Sequence, residues 1–258
     1  MPVVNHFAPP LSEHRNWTGF HSKWANTISD HLNRVLPDGF FAEPNVRWRQ
    51  EADAIVVEDD DPPGFAVGLG GYVGDEDGGV AVAEAPPAVQ APPGRVLDYD
   101  PDHDVAEVRV LNDRGQSLRL AAAVEIVSPS NKDRPDERTA FVGKVEGYVS
   151  AGVGVVVLDT VFPSKRSPHR ELMQRLGDED PEADATFAAA YRLTERRPRK
   201  VEIWHHAVAV GTELPELPPF LKRGPAVPVP LQATYMEACL NTRVDAAAVL
   251  REQAAADA

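Results

Sequence analysis

Cysteine is almost missing from these 258 residues: Cys239 stands alone, which excludes an internal disulfide and any zinc site built from several thiolates. It has no recognisable histidine partner in sequence, so it reads as a packing thiol rather than a nucleophile. No apolar run approaches the roughly 18 residues of a membrane span, and no membrane partner is expected. The start, Met1-Pro-Val-Val-Asn-His-Phe7, has no basic stretch leading into an apolar one. With no secretory signal of that kind, a cytoplasmic protein is the default expectation. Nucleotide-binding glycine motifs are lacking too. Gly68-Leu-Gly-Gly-Tyr-Val-Gly74 is glycine-rich but opens no helix, which makes a phosphate cradle there a weak reading.

Basic residues are scarce: 26 Lys and Arg stand against 40 Asp and Glu, a net charge of −14. The imbalance is local. Residues 58–105 hold twelve acids and one base, Arg95, and so carry −11 of that total. The same segment is broken by Pro62-Pro-Gly, Gly78-Gly, Pro86-Pro and Pro92-Pro-Gly, which predicts an irregular acidic insertion whose charge belongs to itself and not to the core. The one basic run, Arg196-Arg-Pro-Arg-Lys200, is read as a solvated turn in preference to a nucleic-acid contact.

The rest of the chain is patterned for burial, with 43% hydrophobic residues and no internal repeat. We read residues 1–258 as one domain interrupted by the insertion, with a frayed tail over 254–258. Trp17, Phe20, Trp24, Ile28 and Leu32 recur at helical steps and predict a first helix opened at Ser12 and stopped at Pro37-Asp-Gly39. Strands are expected over 40–50, where Pro44 implies an edge position or a bulge, and over 52–57. A hairpin is expected from 104–111 and 117–127 around Asn112-Asp-Arg-Gly115. A helix over 137–150, packing through Phe141, Val145, Tyr148 and Val149, and a buried strand over 153–161 complete a crossover unit with parallel strands. Further on, helices are expected over 169–176 and 185–193, a strand over 200–210, a proline-rich loop over 214–231 and a terminal helix over 232–254. The fold class is α/β.

One residue breaks the pattern. Glu125 sits between Val124 and Ile126 in the nearly continuous apolar run from Leu118 to Val127. A carboxylate there needs a cation, a metal or several donors. Asp53 on an early strand and Lys144 on the crossover helix are placed to share a face with it. Two carboxylates around a magnesium ion, with a lysine to assist water, would make a phosphodiesterase site. The alternative is a structural acid bridged to Lys144 or Lys132. Ser128, Asn131 and Lys132 are candidate substrate-binding residues, since hydroxyl and amide donors after a strand can hold a phosphate. The competing reading of Ser128-Pro-Ser-Asn131, which we favour, is a turn cap. His14 and His21 share the first helix, and His205 and His206 alternate across a strand, so all four are read as core or surface residues and not ligands.

Three segments carry a resemblance: Trp17-Thr-Gly-Phe-His21, Leu36-Pro-Asp-Gly-Phe40 and Val124-Glu-Ile-Val-Ser-Pro-Ser-Asn-Lys132 together with Lys144. They resemble the bacterial family catalogued as domain of unknown function 4058. That family in turn is similar to the Uma-type restriction endonucleases of the PD-(D/E)XK nuclease superfamily. The resemblance covers most of residues 11–240 outside the insertion. It implies a restriction-endonuclease-like mixed sheet flanked by helices, a magnesium cofactor held by Asp53 and Glu125, and nucleic acid as partner. Ala52 stands where the superfamily pattern has proline. Val127 stands where it has the catalytic lysine, so that role would pass to Lys144 or Lys132. Glu43 is a further candidate acid. A non-catalytic binding or regulatory protein on the same fold is the competing expectation.

Overall fold

The computed structural model describes residues 2–47, 105–113, 117–178, 185–194 and 199–256. Asp53, the strand expected over 52–57, and the acidic insertion up to its last residue fall outside them. The chain forms an α/β fold around a six-stranded mixed sheet whose strands lie side by side in chain order. These are β1 (Phe40–Arg47), β2 (Val105–Asn112), β3 (Arg119–Ile126), β4 (Gly154–Asp159), β5 (Phe187–Leu193) and β6 (Val201–Ala207). All neighbouring pairs are antiparallel except β3 and β4, which run parallel. The crossover expected between those two strands is thus present, and its helix is α4 (Pro135–Ser150). Among the described residues no helix is long and apolar enough to cross a membrane.

Before the sheet come α1 (Leu11–His14) and α2 (Trp17–Val35). The opener of the long helix is Asn16 and not Ser12: its side chain accepts the Thr18 N–H, and Ser12 belongs to the separate turn α1. The apolar stripe of α2, with Trp24, Ile28 and Leu32 fully buried, lies against one sheet face together with Val108, Val124, Val156 and Ala188. The other face is covered by α4 and α5 (Pro168–Arg175), which pack Phe141, Val145 and Leu172 on Val155, Val157 and Tyr191. Alternation along the central strands therefore divides their buried apolar residues between the two sheet faces. α4 starts with Pro135 and the acids Asp136 and Glu137, all favourable at a helix N-terminus. It stops where Gly152 takes a φ of 74°.

Two expectations fail in the second half. The helix expected over 185–193 is strand β5. Ala188-Ala-Ala190 favours helix locally, but β4 and β6 hydrogen-bond to it on both sides, and the small side chains let both helical layers close over it. The single terminal helix is two helices, α6 (Leu231–Asn241) and α7 (Ala246–Ala256). Arg243, at a φ of 56°, turns the chain so that Val244 N–H returns to the Cys239 carbonyl and Asp245 caps α7 by accepting the Ala248 N–H. Ala254 to Ala256, expected to fray, belong to α7. The proline-rich loop contains a small ladder, β7 (Glu216–Leu217) with β8 (Val229–Pro230).

Gly154 opens β4 because the chain at Phe220 runs against it. A Cβ there would lie 2.2 Å from the Phe220 carbonyl oxygen and 2.8 Å from its nitrogen. Gly154→Ala is expected to destabilise the fold by roughly 1–3 kcal/mol in urea unfolding. Gly147→Ala, in α4 with open space around it, should instead stabilise by about 0.5–1 kcal/mol.

Candidate functional site

Strands β1, β2 and β3 place one row of polar side chains across the sheet. Register pairs Asn45 with Glu107 and Glu107 with Glu125, and directly opposed residues share a face. That is the α4 face, beyond the point where α4 covers it with apolar side chains. Glu107 and Glu125 are 2% and 1% exposed. Lys144 on α4 brings Nζ to 2.7 Å from Glu125 Oε1 and keeps 30% of its side chain in solvent. One turn later the Tyr148 hydroxyl donates to Glu107 Oε1 at 2.8 Å. Glu107 Oε2 accepts from Asn45 Nδ2 at 3.2 Å and Arg109 Nε at 3.4 Å.

The two acids are tuned in opposite directions. Burial pushes Glu107 upward, but the charges of Lys144 and Arg109 and the donors Tyr148 and Asn45 outweigh it and hold the carboxyl below its ordinary value. Burial pushes Glu125 up to about 8; Lys144 opposes the shift and the neighbouring charge of Glu107 adds to it. Lys144 loses by burial yet gains more from Glu125 and Glu107, so its ammonium is held above its ordinary pKa. The result is a carboxylate beside a carboxylic acid, with a protonated lysine between strand and helix. Lys144 and Glu107 both act on Glu125 through short side-chain contacts as well as through charge.

Hard oxygens of this kind suit a magnesium-type cation, which takes one or two carboxylates plus water. The carboxylates such an ion could use here, Glu107 and Glu125, already have Tyr148, Asn45, Arg109 and Lys144 as partners. Among the described residues no group of three or more His, Cys, Asp or Glu side chains converges as a metal cage.

The structure brings together Glu125 and Lys144 as expected, and it adds Glu107, Arg109 and Asn45. Asp53 lies outside the described residues. Glu43 shares the face, opposite Arg109 in the ladder, and is exposed. Val127 is fully buried in the apolar layer beneath α4. Ser128 and Asn131 form a capping box on α3 (Pro129–Asp133), each accepting the other's backbone N–H, the turn-cap arrangement favoured from sequence. Lys132 turns away from Glu125. It is fully buried and bonds Asp159 Oδ1 at 3.1 Å, the Val161 carbonyl at 3.0 Å and the Ala185 carbonyl, so its three donors are spent and none is left for a substrate. Burial pushes Asp159 up to about 7 against the pull of Lys132, and pushes Lys132 down.

Of the other candidates, His21 is buried and pairs Nε2 with the Ile126 carbonyl at 2.8 Å, pinning α2 to the end of β3. Burial lowers it to about 4 despite that bond. His205 stacks on His169 at 4.2 Å. Cys239 is buried, which pushes its thiol up to about 11.

Glu107 was hidden by its context. In Val105-Ala-Glu-Val-Arg-Val110 the alternation of charged and apolar residues is that of a half-exposed strand. Only the register opposite Glu125 reveals it, and a register shift between Val110 and Leu111 keeps that register from being counted back from the turn.

Comparison with protein-family models, with curated proteins and with solved structures yields no match.

Two outcomes are expected of variants here. Glu125 keeps its proton to about pH 8 when folded, against an ordinary value of 4.5. The folded chain therefore binds more protons between those values, and the associated stability, complete below about 4.5, is lost as pH rises through about 8. Glu125→Gln removes this loss, so urea midpoints taken between pH 5 and 8.5 should fall more steeply in the native chain than in the variant. Parallel curves would mean that Glu125 is ionised throughout. Lys132→Met leaves Asp159 buried without its cation and should cost ~3–5 kcal/mol. A cost below ~0.5 kcal/mol, that of an exposed side chain, would contradict the burial of Lys132.

Proposed function

We propose that this protein hydrolyses phosphodiester bonds in nucleic acid with the help of a divalent cation, in the manner of nucleases, at Glu107, Glu125 and Lys144. The observation that carries the reading is the direct opposition of two buried acids on neighbouring strands with a lysine 2.7 Å from one of them. The sequence expectation put the first acid on Asp53; in this reading Glu107 takes that place. The mixed sheet between helical layers agrees with the nuclease-like architecture that the family resemblance implies.

Glu107, held charged by Tyr148, Asn45 and Arg109, is the fixed half of the cation site. Glu125 would be the other ligand, binding through its carboxylate form. A bound magnesium-type cation would supply charge neutralisation at a phosphoryl oxygen and acidify water. Lys144, protonated and reaching solvent, attracts the phosphate and stabilises the negative charge that grows on phosphorus-bound oxygens during attack. Tyr148, whose hydroxyl burial and then Glu107 and Glu125 push well above its ordinary pKa, stays a donor and orients Glu107.

A second reading has its own support. Arg109 with Glu107 and Lys144 with Glu125 are paired within the cluster, and Val127 leaves the usual lysine position apolar. A non-catalytic binding or regulatory protein on the same fold follows from that.

Purified full-length chain with Mg²⁺ or Mn²⁺ should nick supercoiled DNA or cut single-stranded RNA. Chelator should stop the reaction, and Glu125→Gln, Glu107→Gln and Lys144→Met should each lower its rate by about 10²-fold or more. Cleavage unaffected by Glu125→Gln sinks the proposal, and a folded chain inert on both polymers with either metal establishes the second reading.

A further inference from the structure

A second feature lies at the other end of β4, where the parallel strands begin. The segment 219–226 folds back through a bridge between Phe220 and Ala226. Lys222 N–H donates to the Ala121 carbonyl at 2.9 Å, and the bare Gly154 admits the Phe220 backbone. Between this turn, the last residues of α4 and the end of β5 opens a cavity of about 500 Å³, within the 300–1,000 Å³ usual for small-molecule sites.

Among the described residues its lining includes Arg192, Arg199, Lys222 and Arg223 and no carboxylate. Four cations gathered around one concavity require a reason, and capping of α4 does not provide it. The last carbonyls of that helix are already met by the N–H groups of Ala151, Gly152 and Val153. Arg192 is held at the rim, its guanidinium 5.1 Å from the Phe220 ring centre. Its contact with Glu202 is long, at 3.7 Å, with both side chains 46% exposed, and such a pair contributes little. The Lys222 stem lies beside Gly152, Cε coming within 3.9 Å of where a Cβ would stand, and so reaches the floor below the end of α4. Several cations around one space match an anion of more than one charge, and planar guanidinium groups bind phosphate oxygens in pairs.

We propose that this cavity binds a phosphate-bearing ligand of about mononucleotide size. It shares no lining residue with the Glu107–Glu125 site and does not depend on the hydrolytic reading. Trp204 packs on Phe220 with ring centres 4.5 Å apart, so its fluorescence reports on the cavity wall.

The test is titration of the full chain with ADP, adenosine, inorganic phosphate and a short 5′-phosphorylated DNA oligonucleotide, read by calorimetry and by tryptophan emission with Trp204→Phe as control. ADP should bind saturably and adenosine should not. Arg192→Gln combined with Lys222→Gln should weaken ADP by roughly tenfold or more with an unchanged circular dichroism spectrum. Arg199→Gln, at an exposed position, gives an independent reading in the same direction. Competition between the oligonucleotide and ADP would identify a strand terminus as the source of the phosphate; ADP binding without competition identifies a free nucleotide. No ADP binding at millimolar concentration overturns the proposal. So does affinity unchanged in these variants, or binding of inorganic phosphate with ADP excluded.

Discussion

An ionisable group inside a sheet must be answered from another element, and this requirement organises the centre of the molecule. Glu125 on β3 is answered by Lys144 on α4, and Asp159 on β4 by Lys132 on α3. Both lysines come from the crossover that joins the two parallel strands, so the same segment that covers the sheet also neutralises its charges. Removing Lys132 leaves Asp159 buried without its cation, which is far costlier than losing an exposed pair. The crossover is therefore fixed by charge as well as by the apolar contacts of Phe141 and Val145.

The two pairs differ in what they leave open. Lys132 has spent every donor on Asp159 and two carbonyls, which makes that pair a closed fastening between α3, β4 and the approach to β5. Lys132 is fully buried, whereas part of the Lys144 side chain remains in water. Beside it Glu107 holds its charge through four partners while Glu125 holds a proton. Such unequal acids side by side are the usual setting for chemistry that needs one group to yield and the other to stay. The hydrolytic proposal rests on this asymmetry rather than on the mere presence of charge.

The α/β class, the edge position of β1, the β2–β3 hairpin and the parallel crossover were legible because each rests on a local signal: Pro44, turn residues, and apolar runs with helical or alternating period. β5 was not legible, because three alanines favour helix and only the ladders on both sides make them a strand. The break between α6 and α7 lay in a left-handed Arg243, a conformation that sequence rarely announces. At the site, Glu125 announced itself as a charge in an apolar run, and Lys144 as the cation one crossover away. Glu107 looked like an ordinary outward residue, since facing inward is a property of the assembled sheet and not of the strand. Asp53 lies outside the described residues, and the register of β2 supplies an acid directly opposite Glu125.

The strictly sequential strand order has a topological consequence. Arg47 and Val105 are partners in the β1–β2 ladder, so the acidic stretch between them leaves and re-enters the sheet at a single point. A connection that starts and ends at one place closes a loop, and the entropy of closure grows only with the logarithm of length, about 0.6 kcal/mol for each doubling. The sheet is thus nearly indifferent to how long that connection is or what it contains. By that reckoning the connection between Arg47 and Val105, two residue pairs from Glu107, is cheap to lengthen, shorten or recharge without changing the framework.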